Sequence, residues 1–323
     1  MKFRIGFENE DRQKLHSYWE KILDSQQWAE GQFTHQFEEK WSDYNSLNSA
    51  AFSSWGGAAL AALEYFGIRG KTVLCPSNTF MATPLAAIQN GNNVEFIDCN
   101  KNDLCLSFSD LKNKIDLYEP AAVWVVHIGG HIAFEIESIA SLCKDRGIIL
   151  LEDCAHAHGA SWNGRKPGSW GDAGVYSFYA TKTISTGEGG MLVSNNEDLI
   201  EFSKKYRNYG KFDYEIDGLN YRMSEFSAAI GCIQAERLDE IVAWKNDYAE
   251  KYLNPKYSNR VIFPENMVSG FYKFIVFEEI EKSTGKVYEE LCHKIMGKDY
   301  ELSNSEWVSE NHWCVPLYYR GNK

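Results

Sequence analysis

Between about residues 50 and 195, short apolar runs alternate with segments whose apolar residues recur with a helical period. Runs of this length that contain few polar residues are typical of parallel strands covered on both faces. We predict strands at Thr72–Cys75, Val94–Ile97, Ala122–Val126, Ile148–Leu151 and Gly190–Ser194. The predicted helices are Ala58–Phe66, Ala82–Asn90, Leu111–Ile115, Ile136–Arg146 and 196–208. The pattern indicates an α/β fold with a large domain, in which helices cover a mostly parallel central sheet.

A long helix follows, from an N-cap at Ser224 through an Ala-rich stretch to about Leu253. Beyond Pro255 the pattern changes to one predicted strand, Phe271–Phe277, and one amphipathic segment, Lys286–Ile295. We therefore expect residues 1–235, with an N-terminal helical arm, to form the large domain. Residues 236–323 are expected to form a smaller C-terminal α/β domain.

Composition narrows the function classes. The chain has 323 residues, 44% of them hydrophobic, and a net charge of −12 without a basic run, so nucleic acid is not an expected partner. The first residues lack an apolar signal-peptide core, and the longest apolar runs are strand-sized, so we expect no membrane partner. The eight cysteines form no CxxC pair and no disulfide-framework spacing, which favours a reducing cytoplasm.

Lys182 and Asp153 are the strongest candidates for chemistry. Lys182 lies among hydroxyl residues and glycines, in the stretch from Ser177 to Gly190, and Asp153 follows the apolar run that begins at Ile148. An amine and a carboxylate at the edge of an α/β sheet are what a pyridoxal 5'-phosphate (PLP) enzyme needs. The lysine would hold the aldehyde as a Schiff base, and the carboxylate would keep the pyridine nitrogen protonated. Taken singly, each has a simpler interpretation, a surface lysine and a turn aspartate.

Other residues are suited to holding a phosphate or a flat ring. The Gly56-Gly57-Ala58 turn joins a predicted strand to a helix, so its N–H groups can converge on an anion, and Ser177 offers a hydroxyl. Phe80 follows the predicted strand Thr72–Cys75 and could stack on a cofactor, although most phenylalanines simply fill the core. Asn220 precedes the long helix beside an arginine; the alternative there is an ordinary surface turn.

Histidines at 127, 131, 156 and 158 raise the competing hypothesis of a hydrolytic metal site that includes Asp153. The spacing argues against it. The His127–His131 stretch contains two glycines, which disfavour a ligating helix, and no glutamate is placed as in an HExxH motif. We therefore predict no metal and expect these histidines to be structural.

Together the segments resemble the DegT/StrS-type sugar aminotransferases, a branch of the aspartate-aminotransferase-like, fold-type I PLP enzymes. The resemblance runs in order from 31–38 to 237–239, with a weaker match at 312–318. It implies that Lys182 binds the aldehyde, Asp153 the pyridine nitrogen and His156 the ring oxygen, while Phe80 stacks on the ring. The phosphate cradle it implies is Gly56, Gly57, Ala58 and Ser177, with Asn220 reaching the neighbouring cofactor of a homodimer.

The resemblance implies transfer of an amino group from an amino acid, with L-glutamate as the expected donor, to a nucleotide-linked keto-sugar in surface-glycan or deoxyamino-sugar biosynthesis. Alternatives are a smaller keto-phosphate, a cyclitol or a higher sugar as acceptor, a sugar dehydratase, or a non-catalytic PLP-binding protein. The related dehydratases have histidine where this chain has Lys182. The chain also departs from the family at Trp55-Gly56-Gly57, which lacks an expected hydroxyl, and in its shorter C-terminal region.

Overall fold

A seven-stranded sheet lies at the centre of the molecule, in a computed structural model that describes residues 6–321. Helices α1 to α10 are Asn9–Ser25, Gln32–Asn45, Trp55–Tyr65, Ala82–Gln89, Phe108–Tyr118, Ile136–Arg146, Glu197–Tyr206, Glu225–Tyr248, Cys292–Ile295 and Ser303–Glu310. Strands β1 to β11 are Asn48–Phe52, Thr72–Pro76, Asn93–Ile97, Ala122–Val126, Ile149–Asp153, Ser161–Trp162, Ala173–Ser177, Gly190–Ser194, Met267–Val268, Phe274–Val276 and Trp313–Val315. The mixed α/β architecture confirms the predicted fold class.

The strand order of the central sheet is β1-β8-β7-β5-β4-β2-β3. All neighbouring pairs are parallel except those of β8, which runs antiparallel to both β1 and β7. β1 therefore runs in the same direction as the rest of the sheet. The chain leaves β1, β2, β4, β5 and β7 at one common edge, where open α/β sheets bind their ligands.

Helices cover both faces of this sheet, as β4 shows. Val123 and Val125 pack into one apolar cluster, with Trp41 and Phe178, whereas Trp124 packs into a second cluster. Alternate residues of a strand point to opposite faces, so every residue of β4 is buried. An almost uninterrupted apolar run is the sequence consequence of two-sided burial.

The five predicted strands and five predicted helices of the sheet region are all present, with ends shifted by a few residues. β7 was not predicted, because Ala-Gly-Val-Tyr-Ser has little apolar patterning. Two C-terminal predictions were wrong in extent. Within the predicted strand Phe271–Phe277 only Phe274–Val276 is extended and paired, and within the predicted segment Lys286–Ile295 only Cys292–Ile295 is helical. Gly285 has a φ of +90°, and the chain after it runs to the sheet edge without forming a helix.

The C-terminal part has a small apolar cluster of its own, which includes Leu253, Phe271 and Val315. Cys314 and Val308 belong instead to the main core. The proposed division after residue 235 falls inside α8, which begins at its predicted cap, Ser224. The two-domain division stays a proposal. Within residues 6–321, none of the helices combines the length and the apolar character needed to cross a lipid bilayer.

Candidate functional site

Lys182 lies in the loop that connects β7 to β8, at the carboxyl edge of the sheet. A turn holds it there, because the Lys182 N–H donates to the Tyr179 carbonyl at 2.9 Å. Its ammonium nitrogen lies 5.1 Å from the centre of the Tyr272 ring. Burial lowers the pKa of Lys182 to about 8, a shift opposed by Asp153 and assisted by Lys273. The neutral, nucleophilic form of this amine is therefore more populated near physiological pH than in an exposed lysine.

Asp153 is the last residue of β5 and is almost completely buried. One carboxylate oxygen accepts a hydrogen bond from the Thr83 hydroxyl at 2.8 Å, and the other accepts one from the Ala155 N–H at 3.0 Å. Burial raises the pKa of Asp153, and the two hydrogen bonds and the Lys182 charge oppose that rise. Lys182 and Asp153 thus share one site, as the sequence predicted, rather than lying on opposite sides of the fold.

His156 lies three residues beyond β5 in an aromatic stack. Its ring lies 4.0 Å from that of Tyr272 at an angle of 22°, and 5.7 Å from that of Tyr288 at 16°. The Tyr288 hydroxyl is 3.5 Å from Nε2, whereas the buried Nδ1 has no partner among the described residues. Burial and the positive charge of Lys182 hold the pKa of His156 well below its usual range. A neutral imidazole with an unpaired buried nitrogen is available for a ligand.

The predicted phosphate-binding turn is the first turn of α3. Ser54 caps this helix by accepting the Gly57 N–H at 3.2 Å, and Gly56, Gly57 and Ala58 follow it. Ser177 ends β7 opposite Gly190, and a side chain at Gly190 would lie 2.3 Å from the Ser54 carbonyl oxygen. The absence of that side chain lets the start of α3 approach the end of β7. The helix start and Ser177 are therefore neighbours, as an anion site requires.

Phe80 and Asn220 occupy more exposed positions. Phe80 follows β2 at the same edge, with 68% of its surface exposed and no stacked ring among the described residues. Asn220 is exposed, and its side-chain oxygen accepts the Arg222 N–H at 3.3 Å. The next residue, Tyr221, packs against Gly57. Their predicted contacts with a cofactor stay predictions.

The histidines are placed differently from a metal centre built on Asp153. His127, Glu152 and Cys154 do lie within 4.8 Å of one another and could in principle hold an ion. However, the His127 Nδ1 accepts the Ala133 N–H, so Nε2 carries the proton and donates to Glu152 at 2.8 Å. Glu152 also accepts three backbone N–H groups. This hydrogen bonding accounts for the cluster without an ion.

Sequence reasoning missed the residues that the C-terminal part brings to the site. Tyr272, Lys273 and Tyr288 come from irregular chain around β10 and before α9, and Lys245 comes from α8. Tyr288 lies beside Asp153, and that charge, together with burial, raises the pKa of its hydroxyl. These residues form no compact motif, so only their cluster of aromatic and basic types could have drawn attention to them.

The arrangement fits PLP. Lys182, whose pKa burial lowers to about 8, suits an aldehyde, buried Asp153 a protonated ring nitrogen, and the start of α3 with Ser177 a phosphate. The unpaired Nδ1 of His156 offers one further polar contact. The missing hydroxyl at Gly57 is explained by Tyr221, whose ring lies 2.8 Å from where a side chain would begin.

Comparison with known proteins agrees with this geometry. Residues 9–283 match the model of the DegT/DnrJ/EryC1/StrS aminotransferase family. A GDP-perosamine synthase of Vibrio cholerae is 36% identical over 231 residues, which cover 69% of this chain and 62% of that protein. A UDP-4-amino-4,6-dideoxy-N-acetyl-beta-L-altrosamine transaminase of Campylobacter jejuni subsp. jejuni serotype O:23/36 (strain 81-176) is 32% identical, with 83% of this chain and 75% of that protein covered.

Solved structures show the same fold. An aminotransferase of Brucella abortus named for this family superimposes with a TM-score of 0.88 at 21% identity, covering 95% of this chain and 91% of the other. DesV of S. venezuelae gives the same TM-score at 24% identity, covering 95% of this chain and 90% of the other. With the family match extending over most of its length, the chain belongs to the DegT/DnrJ/EryC1/StrS aminotransferase family.

Proposed function

We propose that this protein is a PLP-dependent aminotransferase that moves an amino group from an amino acid, L-glutamate as the expected donor, to a nucleotide-linked keto-sugar. The observation that carries the proposal is the pairing of Lys182, whose pKa burial lowers to about 8, with buried Asp153 at the carboxyl edge of the sheet. Such perturbed pairs in a cleft are typical of catalytic groups. The named relatives, a GDP-perosamine synthase and a UDP-aminosugar transaminase, support a sugar acceptor.

When bound, PLP would supply the electron sink that makes the proton on the reacting carbon acidic. Lys182 would take that proton and return it at the neighbouring carbon, which its lowered pKa of about 8 favours because more of the amine is then unprotonated. Asp153 would hold the ring nitrogen in its protonated form, and His156, as a neutral imidazole, would offer a polar contact to the ring oxygen. The start of α3 and Ser177 would bind the phosphate.

The proposal includes a homodimer. Asn220 is exposed, on a segment in which Phe212, Tyr214 and Leu219 have 86%, 65% and 54% of their surfaces exposed. Exposed apolar side chains this close together favour a protein partner. A second copy that covers this segment would bring Asn220 to the neighbouring phosphate. A cytoplasmic location also stays part of the proposal, supported by eight cysteines that are all free thiols.

A dehydratase is the less favoured alternative, because the related dehydratases have histidine where this chain has Lys182. The experiment that separates the possibilities follows the cofactor's absorption. Wild type mixed with PLP should gain a visible band that disappears when L-glutamate is added and returns with a keto-sugar nucleotide. Lys182→Ala should fail to turn over. A wild-type protein that gains no band with PLP would overturn the proposal, and a band that does not respond to any amino donor would leave only a PLP-binding protein.

A further inference from the structure

A cavity of about 250 Å³ opens directly beside Lys182. Besides Lys182 itself, its lining includes Lys245, Lys273 and Lys286, together with several threonine and tyrosine hydroxyls. No Asp or Glu side chain among the described residues lines it. In a chain with a net charge of −12, four lysines around one small cavity, without a lining carboxylate, are an unusual concentration of basic side chains, and a bound anion would favour their protonated forms.

The lysines repel one another. Lys273 contributes to lowering the pKa of Lys182, and burial together with Lys273 lowers the pKa of Lys245 to about 7. Collecting ammonium groups in a partly buried cavity is unfavourable unless an opposite charge is present. A bound anion would supply that charge.

Apart from Lys182, which the proposed reaction uses, Lys273 is the lysine of this cavity whose ammonium keeps its donors free among the described residues. Lys245 donates to the Phe271 carbonyl at 2.9 Å, and Lys286 donates to the Glu310 carbonyl at 2.6 Å. The Lys273 ammonium nitrogen lies 5.3 Å from the centre of the Tyr272 ring, and within residues 6–321 it has no hydrogen-bond or ion-pair partner; the Lys273 backbone N–H donates to the Gly129 carbonyl. The Lys182 ammonium lies 5.1 Å from the centre of the same ring, and the Lys273 charge lowers the pKa of Lys182. The Lys273 ammonium therefore lies near the reacting amine.

The cavity suits a part of a ligand rather than the whole, because sites that bury complete small molecules measure about 300–1,000 Å³. Several positive charges and hydroxyls favour a group with more than one negative charge and many acceptor oxygens. We propose, on the basis of the function proposed above, that this cavity is the subsite for the diphosphate of the keto-sugar nucleotide. Lys273 is its specificity-determining residue, and it holds the sugar end of the substrate against Lys182.

The test is a calorimetric titration of the PLP-loaded protein with inorganic pyrophosphate. Lys273→Gln should weaken pyrophosphate binding about tenfold or more, because a charge-assisted contact is lost. Lys273→Arg should retain most of the affinity. Lys256→Gln is the matched control: Lys256 also lies over a tyrosine ring, 5.0 Å from the centre of Tyr257, but outside the cavity, and its loss should change nothing.

Other anions separate the possible sources of the charge. Inorganic phosphate should bind more weakly than pyrophosphate, and glutarate, which has the two carboxylates of the amino donor, should depend little on Lys273. Tighter, Lys273-dependent binding of glutarate would overturn the diphosphate assignment. Equal pyrophosphate affinity in wild type and Lys273→Gln, or an equal loss in Lys256→Gln, would overturn the subsite, provided that circular dichroism shows both variants folded.

The titration needs neither donor nor turnover, so it separates the two proposals. A protein that aminates keto-sugars but binds pyrophosphate independently of Lys273 would keep the function and lose the subsite. A protein that binds pyrophosphate through Lys273 and transfers no amino group would keep an anion site and lose the function.

Discussion

The sheet edge and the C-terminal segment 271–288 contribute to the same site in different ways. Asp153 and Ser177 end neighbouring strands whose register pairs Asp153 with Val175, so the sheet fixes their separation. Tyr272 and Tyr288 come from chain with little regular structure; β10 has only three paired residues. The sheet edge holds the groups to which we assign binding and reaction, whereas the C-terminal segment packs beside them and adds the Lys273 charge that lowers the pKa of Lys182.

This difference predicts which of the two regions tolerates substitutions better. Residues on fully buried, paired strands are held by packing and by many backbone hydrogen bonds, so small displacements are costly. Segments with few such bonds open more easily and adapt to different ligands. We expect changes at the sheet edge to affect the chemistry, and changes in the C-terminal segment to affect substrate choice and proton affinity.

Asp153→Asn should have the largest effect. It removes the charge that we propose keeps the cofactor's ring nitrogen protonated, and kcat/KM should fall about 10²–10³-fold, as for loss of one preorganised electrostatic partner. Thr83→Val keeps the charge and removes only the hydroxyl that holds it at 2.8 Å, so its loss should be clearly smaller. Steady-state kinetics with PLP in excess measure both. Equal losses in the two variants would mean that the placement of Asp153, and not its charge, is what matters.

Gly57→Ala and Gly56→Ala form the next test, also at the sheet edge. The new carbon at Gly57 would lie 2.8 Å from the Tyr221 ring, so overpacking should cost about 1–3 kcal/mol and weaken PLP binding. At Gly56 the atom nearest to the new carbon would be the Ser54 hydroxyl oxygen, 3.8 Å away, so alanine should be tolerated or stabilise the helix by up to about 1 kcal/mol. Thermal unfolding with and without PLP measures both; the same outcome at the two positions would contradict the described geometry.

Proton affinity at Lys182 tests the link between the two regions. Without PLP, a small amine-reactive reagent should label Lys182 half-maximally near pH 8, because the amine is neutral above its lowered pKa. Lys273→Gln should move this midpoint to higher pH by removing a repelling charge, and Asp153→Asn should move it to lower pH by removing an attracting one. Peptide mass spectrometry reads the labelling. His156 and His158, which face Lys182, are neutral in this range and should not change it.

Tyr288→Phe should have the smallest effect. Its hydroxyl is 3.5 Å from His156 Nε2, a long hydrogen bond, so kcat should change about twofold to tenfold at most. Tyr288→Leu also removes the ring that stacks near His156 and should cost more. If the phenylalanine variant lost as much activity as the leucine variant, the hydroxyl would have a direct role in the reaction.

The sequence was a good guide to the sheet because two-sided burial leaves a local record. The run Ala122–Val126 was predicted with the bounds that the structure shows, and Lys182 and Asp153 were placed at the same edge. Segment 286–295 was a poorer guide. Its apolar spacing favours a helix, yet only its last residues coil, because Val287 donates to His312 and Tyr288 packs at the site.

By itself the sequence determined the alternation of strands and helices, the edge at which the chemistry lies, and the amine and carboxylate that face each other there. These follow from local periodicity and from the rule that parallel strands share a carboxyl edge. Only the tertiary structure decided that Tyr272, Lys273 and Lys245 would line one cavity with Lys182, and that burial and the Lys273 charge would lower the pKa of Lys182. Residues that meet across long sequence separations through packing leave no local pattern, because their proximity depends on the whole core rather than on their neighbours in the chain.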